Sequence, residues 1–113
     1  MIEIYHNPRC RKSREGLELL EKSGLTFKIR KYLEDVPSEA ELRHLISLLG
    51  IAPIELVRQK EAIWKSDYKD KNLTDNEIIK AMTTHPKLIE RPIVINGDKA
   101  AIGRPPQNIL DIL

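Results

Sequence analysis

The chain contains one cysteine, Cys10, and it sits among four cations: Arg9, Arg11, Lys12 and Arg14. The thiolate is the reactive form of cysteine, and positive charge beside it favours thiolate over thiol. Cys10 also falls between a loop and a helical pattern, at or beside a helix N-terminus. Unpaired backbone N–H groups and the helix dipole favour negative charge there. The same features make an anion cradle, because N-terminal amides donate to an oxyanion and arginines match its edges. A nucleophilic sulfur beside such a cradle is aimed at a bound oxyanion. A lone cysteine is more commonly buried and inert, but four charged neighbours make burial costly here.

His6 lies four residues before Cys10 and is placed either to orient the loop or to polarise the thiolate. His44 and His85 belong to helix-surface and helix-end positions, and three scattered histidines with one cysteine form no metal-ligand spacing. Two further arginines stand in distinctive settings. Arg91-Pro92 precedes the apolar run Ile93-Val94-Ile95, where a strand-initial proline is allowed. Gly103-Arg104-Pro105 holds an arginine between a flexible and a rigid residue. Taken alone, each of these arginines reads as a surface charge.

These residues need a scaffold, and the pattern supplies one. Ile2 and Ile4 alternate with Glu3 and Tyr5, a strand period, and Pro8 keeps His6–Cys10 a loop. Leu17, Leu19 and Leu20 give the following helix an apolar face, with Gly24 as its stop. Leu25, Phe27 and Ile29 alternate as a second strand. Strand, helix and strand joined by short connections make a parallel pair with the helix packed across it. Ser38 with Glu41, and Thr74 with Glu77, have capping-box spacing. They open helices carrying Leu42, Leu45, Ile46 and Leu49, and then Ile78, Ile79 and Met82. The first of these ends at Gly50 and the second at His85-Pro86. Pro53 starts a short helix, and residues 59–73 read as loop or ragged helix. Ile93–Ile95, the Asn96-Gly97 hairpin signal and Ala100–Ile102 make two more strands. Pro105 and Pro106 suit the first turn of a last helix containing Ile109, Leu110 and Leu113. The fold class is α/β: a small mixed sheet flanked by helices, with a helical insertion at about 38–85 between a βαβ half and a ββα half.

Composition narrows the function. A chain of 113 residues is one domain, long enough to bury a core without staples. A net charge of +2 is too small to imply a nucleic-acid or membrane surface. One cysteine excludes an internal disulfide, and residues 1–5 lack the basic start and apolar stretch of a signal peptide. The expectation is a cytoplasmic, monomeric protein with no bound cofactor or metal and no nucleic-acid or membrane partner. The low-molecular-weight phosphatase loop, Cys-x-x-x-x-x-Arg, fails because Gly16 holds the arginine position.

The run from His6 to Arg14 fits His-x-x-x-Cys-x-x-x-Arg, and Leu56-Val57-Arg58, His85-Pro86, Arg91-Pro92-Ile93-Val94 and Gly103-Arg104-Pro105 follow in order. In this combination the chain resembles the glutaredoxin-linked arsenate reductase family, ArsC, and the related Spx-like proteins. The resemblance implies a thioredoxin-like fold, with Arg91-Pro92 at the place of its cis proline. It implies that Cys10 attacks arsenic in bound arsenate while Arg58, Arg91 and Arg104 bind the oxyanion, with His6, Ser13, Arg14 and Pro92 in support. Glutathione as co-substrate and glutaredoxin as partner would then resolve the adduct and release arsenite. One departure is Arg11-Lys12, where the well-known enzymes have Gly-Thr. The single cysteine agrees with this route, since turnover needs an external thiol.

Two other functions compete. Cys10-x-x-Ser13 has the spacing of a monothiol glutaredoxin motif, which fits a glutathione-dependent thiol oxidoreductase without arsenate activity. An Spx-like regulator that binds RNA polymerase is the non-enzymatic alternative, although such switches use a Cys-x-x-Cys pair and Ser13 removes it.

Overall fold

In the computed structural model, which describes residues 1–113, β1 (Ile2–Tyr5) is the strand that the rest of the sheet assembles on. It pairs in parallel with β2 (Phe27–Arg30) and antiparallel with β3 (Ile93–Asn96), and β3 pairs antiparallel with β4 (Lys99–Ile102). The resulting order is β2-β1-β3-β4. The parallel pair needs a crossover, and α1 (Arg11–Ser23) provides it. Two-fold alternation sends Ile2 and Ile4 to one face of β1, where they pack with Leu20 of α1, Val94 of β3 and Ile109. Leu17, Phe27 and Ile112 cover the edges of that core. Ile29, expected on the apolar face of β2, is 48% exposed. β2 is an edge strand, so this end of its face has cover on one side only.

The hairpin turn lies one residue later than the Asn-Gly signal places it. Asn96 pairs with Lys99, which leaves Gly97 and Asp98 as the two central residues. Gly97 has φ 62°, a conformation that glycine adopts without steric cost. Past β4 the chain forms a 3₁₀ helix, Pro106–Ile112, where the pattern reads simply as a last helix. Asn96 donates to the Ile112 carbonyl at 2.7 Å and ties its end to the sheet.

Contacts divide the chain into two units, Met1–Asp35 with Arg91–Leu113, and Val36–Glu90. The second consists of α2 (Glu39–Leu49), a 3₁₀ turn at Pro53–Leu56, α3 (Ala62–Asp67), α4 (Asp75–Thr84) and a 3₁₀ turn at Pro86–Leu88. It runs past His85-Pro86 because Val57 bridges Ile89 and the Glu90 amide donates to the Leu56 carbonyl. Both capping boxes form. Ser38 accepts from the Glu41 amide and Glu41 from the Ser38 amide, and Thr74 and Glu77 repeat the exchange. The segment read as loop or ragged helix contains α3, whose Trp64 is buried and stacks on Tyr68 at 5.3 Å. No helix is long and apolar enough to cross a membrane.

Candidate active site

Cys10 is the N-cap of α1, with extended backbone at φ −95° and ψ 123°. An N-cap side chain faces the amides of the second and third helical residues. Here those are Lys12 and Ser13, and both backbone N–H groups favour the Cys10 thiolate. The first turn of α1 carries no acidic residue to oppose that charge.

The charge that acts on the sulfur comes from the other end of the chain. Burial pushes the Cys10 thiol up, but the Ser13 amide, the Arg91 charge, the Lys12 amide and a hydrogen bond from Arg91 outweigh it, so the thiol stands below its ordinary value of 9.0. Arg104 Nη2 lies 3.9 Å from Cys10 Sγ. The same arginine donates through Nε to the Arg91 carbonyl at 2.8 Å, which fixes the two arginines relative to each other.

This differs from the expectation that neighbouring charges would keep Cys10 exposed. Cys10 is only 8% exposed, while Arg9, Arg11, Lys12 and Arg14 all point to solvent. Arg11 and Lys12 both approach Glu15, at 3.4 and 3.8 Å, and Arg14 donates to the Pro8 carbonyl at 3.0 Å. Burial of the thiol is compatible with these cations because their long side chains carry the charge away from the backbone that bears them.

His6 orients the loop. Its Nδ1 is 2.6 Å from Ser13 Oγ, and Ser13 Oγ accepts from the Asn7 amide at 2.9 Å. Both side chains are buried. Ser13 therefore joins the end of β1, the loop and the first turn of α1, and its own amide faces the thiolate. Ser13 is the residue that links His6 to the first turn of α1. A cleft of about 270 Å³ opens beside the loop, lined by His6, Asn7, Pro8, Arg9, Lys31 and Glu34 among others. Cys10, Arg91 and Arg104 do not line it, so it is separate from the thiol site.

Pro92 follows Arg91 through a cis peptide bond, and a second cis bond joins Arg104 to Pro105. Arg91 and Arg104 meet Cys10, and these residues belong with Pro92 and Ser13 to one unit of the fold. Arg58 belongs to the Val36–Glu90 unit. Its guanidinium lies 3.7 Å from Glu61 Oε2 and donates to the Lys87 carbonyl at 3.3 Å, and its amide donates to the Leu88 carbonyl at 2.7 Å. Two residues at the site went unassigned in the sequence, Gly16 and Gly103. A Cβ on either would approach Pro92 Cγ to less than 3 Å. A glycine in a helix interior is the one signal that pointed to such a contact.

An activated sulfur with two guanidinium groups beside it can attack an electrophilic centre in an oxyanion and offset the charge on its oxygens. Comparison with known proteins identifies relatives of the chain. The ArsC family model matches residues 5–112. An arsenate reductase of Haemophilus influenzae is 49% identical over 99% of this chain and 98% of its own. The uncharacterized protein YfgD of Escherichia coli K12 is 46% identical over 99% of this chain and 96% of its own. The structure of an arsenate reductase from Vibrio cholerae superposes with a TM-score of 0.94 at 46% identity, covering 99% of this chain and 97% of that one. A cysteine at the head of α1, a four-stranded β2-β1-β3-β4 sheet and a family match over nearly the whole length lead to one statement: the chain is a thioredoxin-like protein that belongs to the ArsC family.

Proposed function

We propose that the protein is an arsenate reductase in which the Cys10 thiolate attacks the arsenic of bound arsenate. The observation that carries this is the placement of Arg104 Nη2 at 3.9 Å from Cys10 Sγ, with Arg91 lowering the same thiol. Arg91 and Arg104 hold the arsenate oxygens and offset the charge that grows on them during attack. Arg58, matched by motif, is the third arginine of the reading. Ser13 and His6 hold the loop so that Cys10 stays over the α1 amides.

The electron balance requires a partner. Reduction of arsenate to arsenite takes two electrons, and closing a disulfide between two thiols releases two. The chain has one cysteine, so the second sulfur comes from outside. Glutathione is the external thiol in this reading, and glutaredoxin then returns the mixed disulfide to free Cys10. No bound cofactor takes part.

The test is arsenate-dependent NADPH oxidation coupled through glutathione, glutaredoxin and glutathione reductase. Wild type turns over and Cys10→Ser, a nearly isosteric change, loses activity to background while keeping its fold. Turnover in Cys10→Ser removes the nucleophile assignment. An inactive wild type with a folded, reactive Cys10 moves the reading to a thiol oxidoreductase of another substrate.

A further inference from the structure

Two glycines lie against the ring of Pro92. A Cβ on Gly16, inside α1, would fall 2.7 Å from Pro92 Cγ and 3.0 Å from Ile109 Cδ1. A Cβ on Gly103, just after β4, would fall 2.8 Å from Pro92 Cγ and 2.9 Å from Ile109 Cδ1. Side chains do not pack this closely, and a proline ring cannot rotate out of the way as a long side chain does. Neither glycine is required by its own backbone. The positive-φ glycines are Gly24, Gly50 and Gly97. What Gly16 and Gly103 supply is the missing side chain.

The backbone they admit is tied to the thiol site at each step. The Gly103 amide donates to the Pro92 carbonyl at 2.8 Å. Arg104, the next residue, donates through Nε to the Arg91 carbonyl at 2.8 Å and reaches Cys10 Sγ with Nη2. Gly16 is on the helix that Cys10 caps. The approach of Pro92 to α1 is therefore also the approach of both arginines to the sulfur.

We propose that Gly16 and Gly103 are positioning residues of the thiol site: by seating the Pro92 ring directly against α1 and the end of β4, they set the separation between Cys10 and the arginines Arg91 and Arg104. A methyl group at either position forces Pro92 outward and carries the two guanidinium groups away from the sulfur. This rests on the grouping of Cys10, Arg91 and Arg104 in the reading above, but its test uses no arsenate. A failure to reduce arsenate leaves it standing, and its own failure leaves arsenate reduction standing.

The experiment is the rate of Cys10 alkylation by iodoacetamide as a function of pH, with circular dichroism and thermal midpoint as the check on folding. Gly16→Ala and Gly103→Ala are expected to slow alkylation several-fold at neutral pH and to move the profile to higher pH. Ile109→Val removes the Cδ1 atom that both new methyl groups meet. Alone it leaves the profile unchanged, and combined with Gly103→Ala it restores part of the lost rate. A purely structural role lowers the thermal midpoint and leaves the profile where it was, so folded alanine variants with the wild-type profile overturn the proposal. Should neither alanine variant fold alone, Gly103→Ala in the Ile109→Val background takes their place, because there the new methyl group still meets the Pro92 ring but no longer meets Ile109 Cδ1. The same upward move of the profile is expected, and an unmoved profile overturns the proposal equally.

Discussion

At the sulfur of Cys10, two backbone amides from α1 and Arg91 act together against the cost of burial, and Arg104 lies 3.9 Å away. In the proposed reaction the same arginines bind the oxyanion. Arg104→Ala is expected to raise KM for arsenate roughly 10- to 100-fold, the range for losing a hydrogen bond to a charged group. Steady-state kinetics in the coupled assay measure it, and an unchanged KM removes Arg104 from the oxyanion site. His6 makes a different prediction. Burial first, then the positive charge of Lys31, hold its imidazole below the ordinary 6.5, with the Ser13 hydrogen bond acting the other way. The unfolded chain therefore binds a proton near pH 6.5 where the folded chain does not, and protonation favours unfolding. Stability contributed by neutral His6 is complete above that value and declines as pH falls from it towards the lower folded value. Urea midpoints recorded across this range should fall with acidification, and His6→Asn should flatten the fall. Identical pH dependence in the two proteins assigns the proton to another group.

At the scale of elements, local signals were followed closely where side chains act on their own backbone. Ser38 and Glu41, and Thr74 and Glu77, read as capping boxes and form them. Ser38→Ala is expected to cost about 1 kcal/mol of stability, as loss of an N-cap does. Denaturant unfolding measures this, and a cost near zero means that water replaces the cap at the exposed end of α2. Local signals failed where packing decides. The six residues of α3 are too short for a periodic pattern, and burial of Trp64 holds them in place. Ile29 alternates correctly with its neighbours yet stands exposed, because alternation chooses a face of β2 and sheet order chooses what covers it. The hairpin moved by one residue because pairing of Asn96 with Lys99 puts Gly97, not Asn96, at the first central position.

Over the whole molecule, the chemical consequence of a single cysteine is stoichiometric. With arsenate present and no added thiol, a single enzyme preparation is expected to form at most one arsenic adduct per chain and to release no arsenite, since the second sulfur is missing. Quantifying protein-bound and free arsenic after desalting checks this, and repeated turnover without thiol requires a different electron source. The division of the chain at Val36 and Glu90 sets a second question at this scale. Arg58, which lies in the helical unit, is expected to raise KM for arsenate when changed to alanine, by a factor comparable to Arg104→Ala. An unchanged KM would falsify its place among the oxyanion ligands and leave Arg91 and Arg104 to do that work.

By itself the sequence placed the one cysteine at the head of a helix, set the order of strands and helices, and excluded an internal disulfide. Each of these depends on residue type and on neighbours within a few positions, the range over which capping, alternation and turn chemistry operate. Tertiary structure alone decided which cations act on the sulfur. Arg104 reaches Cys10 across 94 residues of sequence, while the adjacent Arg9, Arg11, Lys12 and Arg14 face solvent. It also decided why Gly16 and Gly103 are glycines, since the ring that excludes their side chains belongs to Pro92, on a distant segment. Proximity along a chain does not set proximity in a packed core, where the close approach of Pro92 to α1 places both arginines at the thiol.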